Sequence, residues 1–379
     1  MGWQPRDELS QAVALEVMLH GPLGRSELAR RLDLAPATLT RISGELIRSG
    51  LLVETPHAAK RGTGRPSIPL DVVPESHHFI GVKLTGRAMM SAVTNLRAEV
   101  LEYREFPLAS RHPEEVVAQI VGLVRDARTR RDLDAVGIGL GGVVTQDGTV
   151  ASAPFLDWAD VPLAKLVEEL VELPVFAAND LTAFTESQHW FGLGTGHANF
   201  ATLTIGAGVG YGCVANGRLL SNEDSGVGLV GHWPLDPLGP LCSRGHRGCA
   251  DGMLTIPAIE RDVSTALGRA VPWGEVLALA AAGEPAVERI VTASARALGR
   301  LIAAVANLAA PDLVVLGGEG VGLAAIALDA VRAGIVEHRD PRASEVRVEL
   351  TPGDDESWCR GAAALAIQGY VLTRSRPSP

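Results

Sequence analysis

The sequence predicts an α/β protein in two unlike parts, a winged helix-turn-helix over residues 1–75 and an α/β body over residues 76–379. Three observations carry that expectation. Three short helical patterns precede two strand patterns joined by a basic, glycine-rich tip, and from residue 78 glycine-punctuated strands alternate with helices. Charge divides at the same place: residues 1–73 hold nine Lys/Arg and eight Asp/Glu, so the remainder carries −11 of a chain total of −10.

In DELSQAVALEVMLHG, residues Ala12, Leu15, Val17, Met18 and Leu19 form an apolar helical stripe that ends at Gly21. In RSELARRLDLA, Ser26 is placed to cap a second helix, which Glu27 and Leu28 begin; Leu28, Ala29 and Leu32 can pack on the first. The third, PATLTRISGELIRSG, opens on Pro36, turns Leu39, Ile42, Leu46 and Ile47 inward and stops at Gly50. LLVE and SIPLDVV read as strands on either side of TPHAAKRGTGRP.

In a winged helix-turn-helix the third helix enters the major groove, which assigns Thr38, Thr40 and Arg41 to base edges and phosphates. On the wing, Lys60, Arg61, Gly64 and Arg65 suit a minor groove or its phosphate walls, the glycines letting the backbone come close. The alternative is a small helical bundle for protein contact, with these charges simply solvated.

Farther on, HFIGVKLTG, AMMSAVTNLRAEVL, AVGIGLGGVVTQDGTV and FATLTIGAGVGYGCVANGRLL read as strands with tight turns, and PEEVVAQIVGLVRDART as a helix. GAGVGYG lies between two apolar runs, and DLVVLGGEGVG repeats the strand-to-glycine junction. Glycines there either admit a phosphate or merely turn the chain.

A chain of 379 residues, 46% hydrophobic and 21% charged, is expected to be globular with two or three domains. It has no apolar run of eighteen residues and no basic-then-apolar start, so a cytoplasmic protein without membrane contact is expected. Four cysteines, Cys213, Cys242, Cys249 and Cys359, are too few and scattered for a disulfide framework. The acidic balance excludes nonspecific nucleic-acid binding by the whole chain and leaves that role to the N-terminal part.

Several landmarks recur together: GRP at 64–66, GIGLGGVV with DGTV at 137–150, LPVFAAND at 173–180, GAGVGYGCVANGRLL at 206–220, GH at 231–232 followed by C and GC, and LAAPDLVVLGG at 308–318. In combination they resemble the ROK family of repressors, open reading frames and kinases, over nearly the whole chain. The resemblance implies that the body has a two-lobed actin-like ATPase (sugar kinase) fold with a carbohydrate site in its cleft, assembled as a homodimer or tetramer. Kinase members hold ATP against glycine turns. Repressor members bind DNA through the N-terminal module, and a sugar or phosphosugar shifts the balance between binding and non-binding states, here through lobe closure and the separation of the two heads.

Residue by residue, the resemblance departs from the kinases. Their first strand ends in Asp-x-Gly-x-Thr, which holds phosphates and magnesium; here it falls on VKLTGR, and Lys83 takes the aspartate's place. Asp180 matches the family's catalytic base, but a carboxylate also serves a regulator as a plain acceptor from sugar hydroxyls, so no catalysis is expected. At the sugar site Phe155 stands for an asparagine, and Ala178 and Leu229 stand for glutamates, while Asn179, Asp180 and His232 remain. Each hydroxyl left unpaired costs about 1–3 kcal/mol, so an ordinary hexose should bind weakly. Either Phe155, Asn179, Asp180, Leu229 and His232 contact a more apolar effector, or they line a repacked, vestigial site.

The family's structural zinc takes the histidine of GH and three cysteines of C-x-C-G-x-x-G-C. Here His232, Cys242, Gly245, Gly248 and Cys249 are in register, but the middle cysteine is Arg244, whose protonated guanidinium cannot bind a metal. Either His246 joins His232, Cys242 and Cys249 as fourth ligand, or the loop is metal-free and Arg244 braces it by bonding carbonyls or Asp251.

The reading as a whole is a DNA-binding transcriptional regulator, not an enzyme: a repressor of carbohydrate or related metabolism genes that binds palindromic double-stranded operator DNA as a dimer. Its rivals are a regulator without effector and a sugar kinase with an appended head.

Overall fold

The computed structural model describes residues 7–55 and 68–372. The chain divides into two compact units, Met1–Gly196 with Trp358–Pro379, and His197–Ser357. The expected boundary at residue 75 therefore runs through the first unit. Among the described residues no helix is long and apolar enough to cross a membrane.

The first unit opens with three helices. α1 (Glu8–His20) is capped by Asp7, whose carboxylate accepts from the Ser10 N–H at 2.8 Å. It buries Val13, Ala14, Val17 and Met18, a face turned from the expected stripe, since Ala12, Leu15 and Leu19 are only half-buried. α2 (Arg25–Arg31) starts after Gly24 with no side-chain cap, so Ser26 lies inside its first turn instead of capping it. α3 (Pro36–Arg48) buries Leu39, Ile42, Ser43 and Leu46. It ends where Leu51 N–H bonds the Leu46 carbonyl at 3.1 Å and Gly50 N–H bonds that of Ile47 at 3.0 Å. Gly50 has φ of 79°, the left-handed conformation this stop requires and a side chain disfavours.

β1 (Leu52–Glu54) and β2 (Leu70–Val72) pair antiparallel, and Leu23 bridges Leu70 on the other edge of β2. The apolar interior of this segment, including Val17, Leu28 and Ile42, is continuous with Phe79, Ala135, Trp190 and Ile367 farther along the same unit.

The main sheet of this unit contains β3 (His78–Leu84), β4 (Ala88–Asn95), β5 (Val100–Pro107) and β6 (Ala135–Leu140). A small antiparallel sheet of β7 (Val143–Val144), β8 (Val150–Ala153) and β9 (Trp158–Val161) follows, then β10 (Val175–Asn179), which returns to the main sheet. The order is β10-β6-β3-β4-β5, with β10, β6 and β3 parallel and β3, β4 and β5 antiparallel. Ile80, Val82, Val136 and Ile138 face α4 (Pro113–Arg128) and α5 (Leu163–Val171). Alternation puts Gly81 and Gly137, paired across β3 and β6, on the opposite face. There the C-terminal helix, Asp355–Leu372, lies so close that a methyl group on either glycine would overlap the carbonyl of Cys359 or Ala362. α6 (Asp180–Phe191) follows β10 with no loop between them.

The second unit repeats the topology. β11 (Phe200–Ile205), β12 (Val209–Ala215) and β13 (Arg218–Leu219) form an antiparallel meander. α7 (Ala250–Leu254), α8 (Ile256–Leu267), α9 (Trp273–Ala281) and the long α10 (Pro285–Ala309) come next. β14 (Leu313–Gly317), α11 (Gly322–Ile326), α12 (Leu328–Glu337) and β15 (Val348–Leu350) complete it, in the sheet order β13-β12-β11-β14-β15. In both units the meander's first strand thus borders the inner of two further parallel strands. Leu298, Leu301 and Ile302 of α10 anchor the second core against Leu203 and Leu316 of the sheet.

Candidate functional site

The β10–α6 junction places Asn179 and Asp180. Asn179 is 7% exposed. Its Oδ1 accepts from the Leu181 and Thr182 N–H groups at 3.0 and 3.3 Å, and its Nδ2 donates to the Gly142 carbonyl at 2.9 Å. Asn179, expected at the effector, caps α6, with its Oδ1 and one Nδ2 hydrogen engaged by backbone.

Asp180 Oδ1 accepts from the Leu181 N–H at 2.8 Å, and Oδ2 accepts from Lys83 Nζ. Lys83 leaves β3 into a nearly dry setting, 6% exposed, with Nζ 4.7 Å from the centre of the Trp358 ring. The two side chains that the family resemblance sets at the kinases' aspartate and base positions thus pair with each other. Gly141 lies beside them: a Cβ there would sit 3.5 Å from the Phe155 ring and 3.7 Å from the Asp180 carboxylate. Phe155, 59% exposed, is no part of a repacked core; it offers an apolar surface next to the ion pair.

In the second unit Leu229 opens the short turn Leu229–His232 and is 66% exposed, so it too is outside any core. The Gly206–Gly208 turn joins β11 to β12, with the Gly206 N–H bonding the Gly208 carbonyl at 3.0 Å. The Glu319 carboxylate presses on Gly206 so closely that a methyl group there would collide with it.

His232 belongs to the cysteine loop. Its Nδ1 lies 4.0 Å from Cys242 Sγ and 3.8 Å from Cys249 Sγ, and Cys242 Sγ is 3.7 Å from His246 Nδ1. The four ligand atoms all lie within 4.8 Å of one another. Around tetrahedral zinc, nitrogen and sulfur ligands stand about 3.3–3.8 Å apart, so these residues fit the ion with small adjustment. Arg244 is exposed, and none of the described hydrogen bonds or ion pairs involves its side chain, so the expected bracing of the loop by Arg244 is not seen. Arg247 Nη1 instead donates to the Gly239 carbonyl at 3.0 Å. Cys213 is buried on β12 and Cys359 in the C-terminal helix, neither in a disulfide.

At the start of α3, Thr38 is half-buried, while Thr40 and Arg41 are exposed. Thr40 Oγ1 donates to the Pro36 carbonyl at 2.8 Å, and Arg41 pairs with Glu45 at 2.8 Å. That exposed i,i+4 pair holds Arg41 by at most about 0.5 kcal/mol, leaving the guanidinium available to another anion. Lys60, Arg61, Gly64 and Arg65 lie outside the described residues.

The ROK family pattern matches residues 79–369, more than half of the chain. The chain belongs to the ROK family. Among ROK proteins it is similar to the DNA-binding transcriptional dual regulator NagC of Escherichia coli K12, 27% identical over 325 residues that span 82% of this chain and 80% of NagC. A ROK family transcriptional regulator described as a homolog of the E. coli MLC protein superposes with a TM-score of 0.81 at 25% identity, covering 96% of this chain and 97% of that one. A ROK glucokinase from Streptomyces griseus, in complex with glucose and AMPPNP, superposes with a TM-score of 0.67 at 27% identity. It covers 77% of this chain and the whole of its own.

Two ROK-site features lay beyond sequence reasoning. Trp358 and Glu319 reach Lys83 and Gly206 from distant segments, and no local pattern marks them. The only signal for Glu319 was its place in LGGEGVG, where a carboxylate interrupts a glycine run.

Proposed function

We propose that this ROK protein is a DNA-binding transcriptional regulator, a repressor of carbohydrate or related metabolism genes, without phosphotransferase activity. Residues 1–75 act as a winged helix-turn-helix head and residues 76–379 as the regulatory body. The carrying observation is the match to a ROK regulator over 96% of the chain, an extent that reaches into the N-terminal helices. The elements of the head support it: the reading helix α3 presents Thr40 and Arg41 at its N-terminal side, and β1, β2 and the Leu23 bridge form the small sheet that carries a wing. Two heads in a cytoplasmic homodimer or tetramer would address a palindromic operator.

The body's chemistry agrees with the absence of catalysis. Lys83 takes up Asp180, and Glu319 places a negative charge at the glycine turn. A sugar, phosphosugar or more apolar effector would meet Phe155 and the Lys83–Asp180 pair in the first unit. A second reading, regulation without effector, is favoured by Asn179, whose polar groups are already engaged.

Capture of genomic DNA fragments by the purified chain, followed by sequencing, tests the proposal. Recurrence of one palindromic motif upstream of sugar-metabolism genes is expected; fragments without a common motif would refute it. Thermal shift against sugars, phosphosugars and apolar metabolites separates the two readings of the body, stabilisation by one of them favouring an effector.

A further inference from the structure

We propose that His246 replaces the family's middle cysteine as a zinc ligand, so that this chain carries a neutral Cys2His2 site where the family pattern has one imidazole and three thiolates. Two backbone pairings deliver the ligands. In the first, Leu241 and Arg247 bridge antiparallel, the Cys242 N–H bonds the His246 carbonyl at 2.9 Å, and Gly245 turns the tip with φ of 84°. That hairpin sets Cys242 opposite His246 and leaves residue 244 at the exposed tip. In the second, Pro234 bridges Cys249, and the Ala250 N–H bonds the Trp233 carbonyl at 3.0 Å, which holds Cys249 against His232.

The two pairs then meet through the His232 and His246 rings, whose centres are 4.4 Å apart. The fourth vertex can then come from His246, because the hairpin brings its exposed ring to the cluster, with Nδ1 3.7 Å from Cys242 Sγ. Binding releases the thiol protons of Cys242 and Cys249, and two thiolates balance the dication. Arg244 is left with no thiolate excess to offset, in keeping with its exposed position. A rival fourth ligand is Asp251, whose Oδ2 lies 3.6 Å from His232 Nδ1.

The test uses the full chain, stripped with a chelator and titrated with Zn2+ or with Co2+ as a spectroscopic probe. Expected are about one zinc per purified chain and a tetrahedral cobalt spectrum with the charge-transfer intensity of two thiolates. His246→Ala should weaken metal binding about tenfold or more, and Asp251→Asn should leave it nearly unchanged. In the His246→Ala background, Arg244→Cys should restore binding with three-thiolate intensity, which shows that the vertex and not the fold was lost. The proposal is overturned if the wild-type chain takes up neither ion, if His246→Ala binds as tightly as wild type, or if Asp251→Asn is the variant that loses the metal.

Discussion

Lys83 on β3 donates its ammonium to the carboxylate of Asp180, the first residue of α6, and the same ammonium stands over the ring of Trp358. A kinase of this family would need a carboxylate at the first position and a free base at the second. Here the two positions satisfy each other. The pair ties strand β3 to the first turn of α6.

No sugar-dependent ADP release is therefore expected from the wild-type chain. Lys83→Asp alone should not create it, because Glu319 still faces the glycine turn and Phe155, Ala178 and Leu229 still lack hydrogen-bonding groups. A coupled ATPase assay over a sugar panel checks this, and turnover above background by the wild-type protein would remove the regulatory reading of the body.

Removing Lys83 leaves a partly buried carboxylate without its partner. Lys83→Ala should cost about 3 kcal/mol of stability. Asp180→Ala should destabilise too, and a double-mutant cycle in urea should return a coupling of about 1 kcal/mol or more. Zero coupling would mean that the contact carries no energy.

Gly81 and Gly137 seat the C-terminal helix against the sheet. Gly81→Ala or Gly137→Ala should lower stability by about 3 kcal/mol or prevent folding, since backbone carbonyls occupy the space. Gly122→Ala, on α4 with open space around it, should raise stability by about 0.5–1 kcal/mol. Thermal unfolding distinguishes the pair from the control, and similar small effects at all three would contradict the packing.

Asp134 accepts from the His78 N–H at 2.9 Å, and burial pushes its carboxyl above the usual range against the opposing pull of His77 and that hydrogen bond. The folded chain thus holds this proton more tightly than the unfolded one. Its contribution to stability is full below the unfolded pKa, about 3.9, and is lost as pH rises through the folded value. Asp134→Asn keeps an acceptor for His78 and should remove that descent, so the variant gains on the wild type between pH 4 and pH 7. A stability difference that is flat with pH would rule this out.

Much of the N-terminal segment was legible because its signals are local: Pro36 opening α3, Gly50 closing it and the paired strands β1 and β2 are all set by neighbouring residues. The inner face of α1 was read only in part: Val17 and Met18 are buried as expected, but Val13 and Ala14 were missed because the helix has apolar residues on most sides and periodicity alone could not orient it. Lys83 and Asp180 were each visible as departures or matches to the family pattern. Their pairing was not, because it arises from parallel register, Lys83 beside Gly139 and Gly139 beside Ala178, across 97 residues of chain. The capping role of Asn179 was not read, because capping a helix and binding a hydroxyl call for the same amide. His246 stands as one of two outcomes in the sequence; the hairpin that turns at Gly245 sets it opposite Cys242, a pairing no local pattern announced.

Operator binding tests the central claim most directly. The full chain is titrated onto its captured palindrome and onto a scrambled duplex at physiological salt, beside Arg41→Ala. The account predicts affinity for the palindrome about a thousandfold or more above the scramble. Arg41→Ala, folded as stably as wild type, should lose about 1–3 kcal/mol of binding. Equal affinity of the wild-type chain for both duplexes would contradict it.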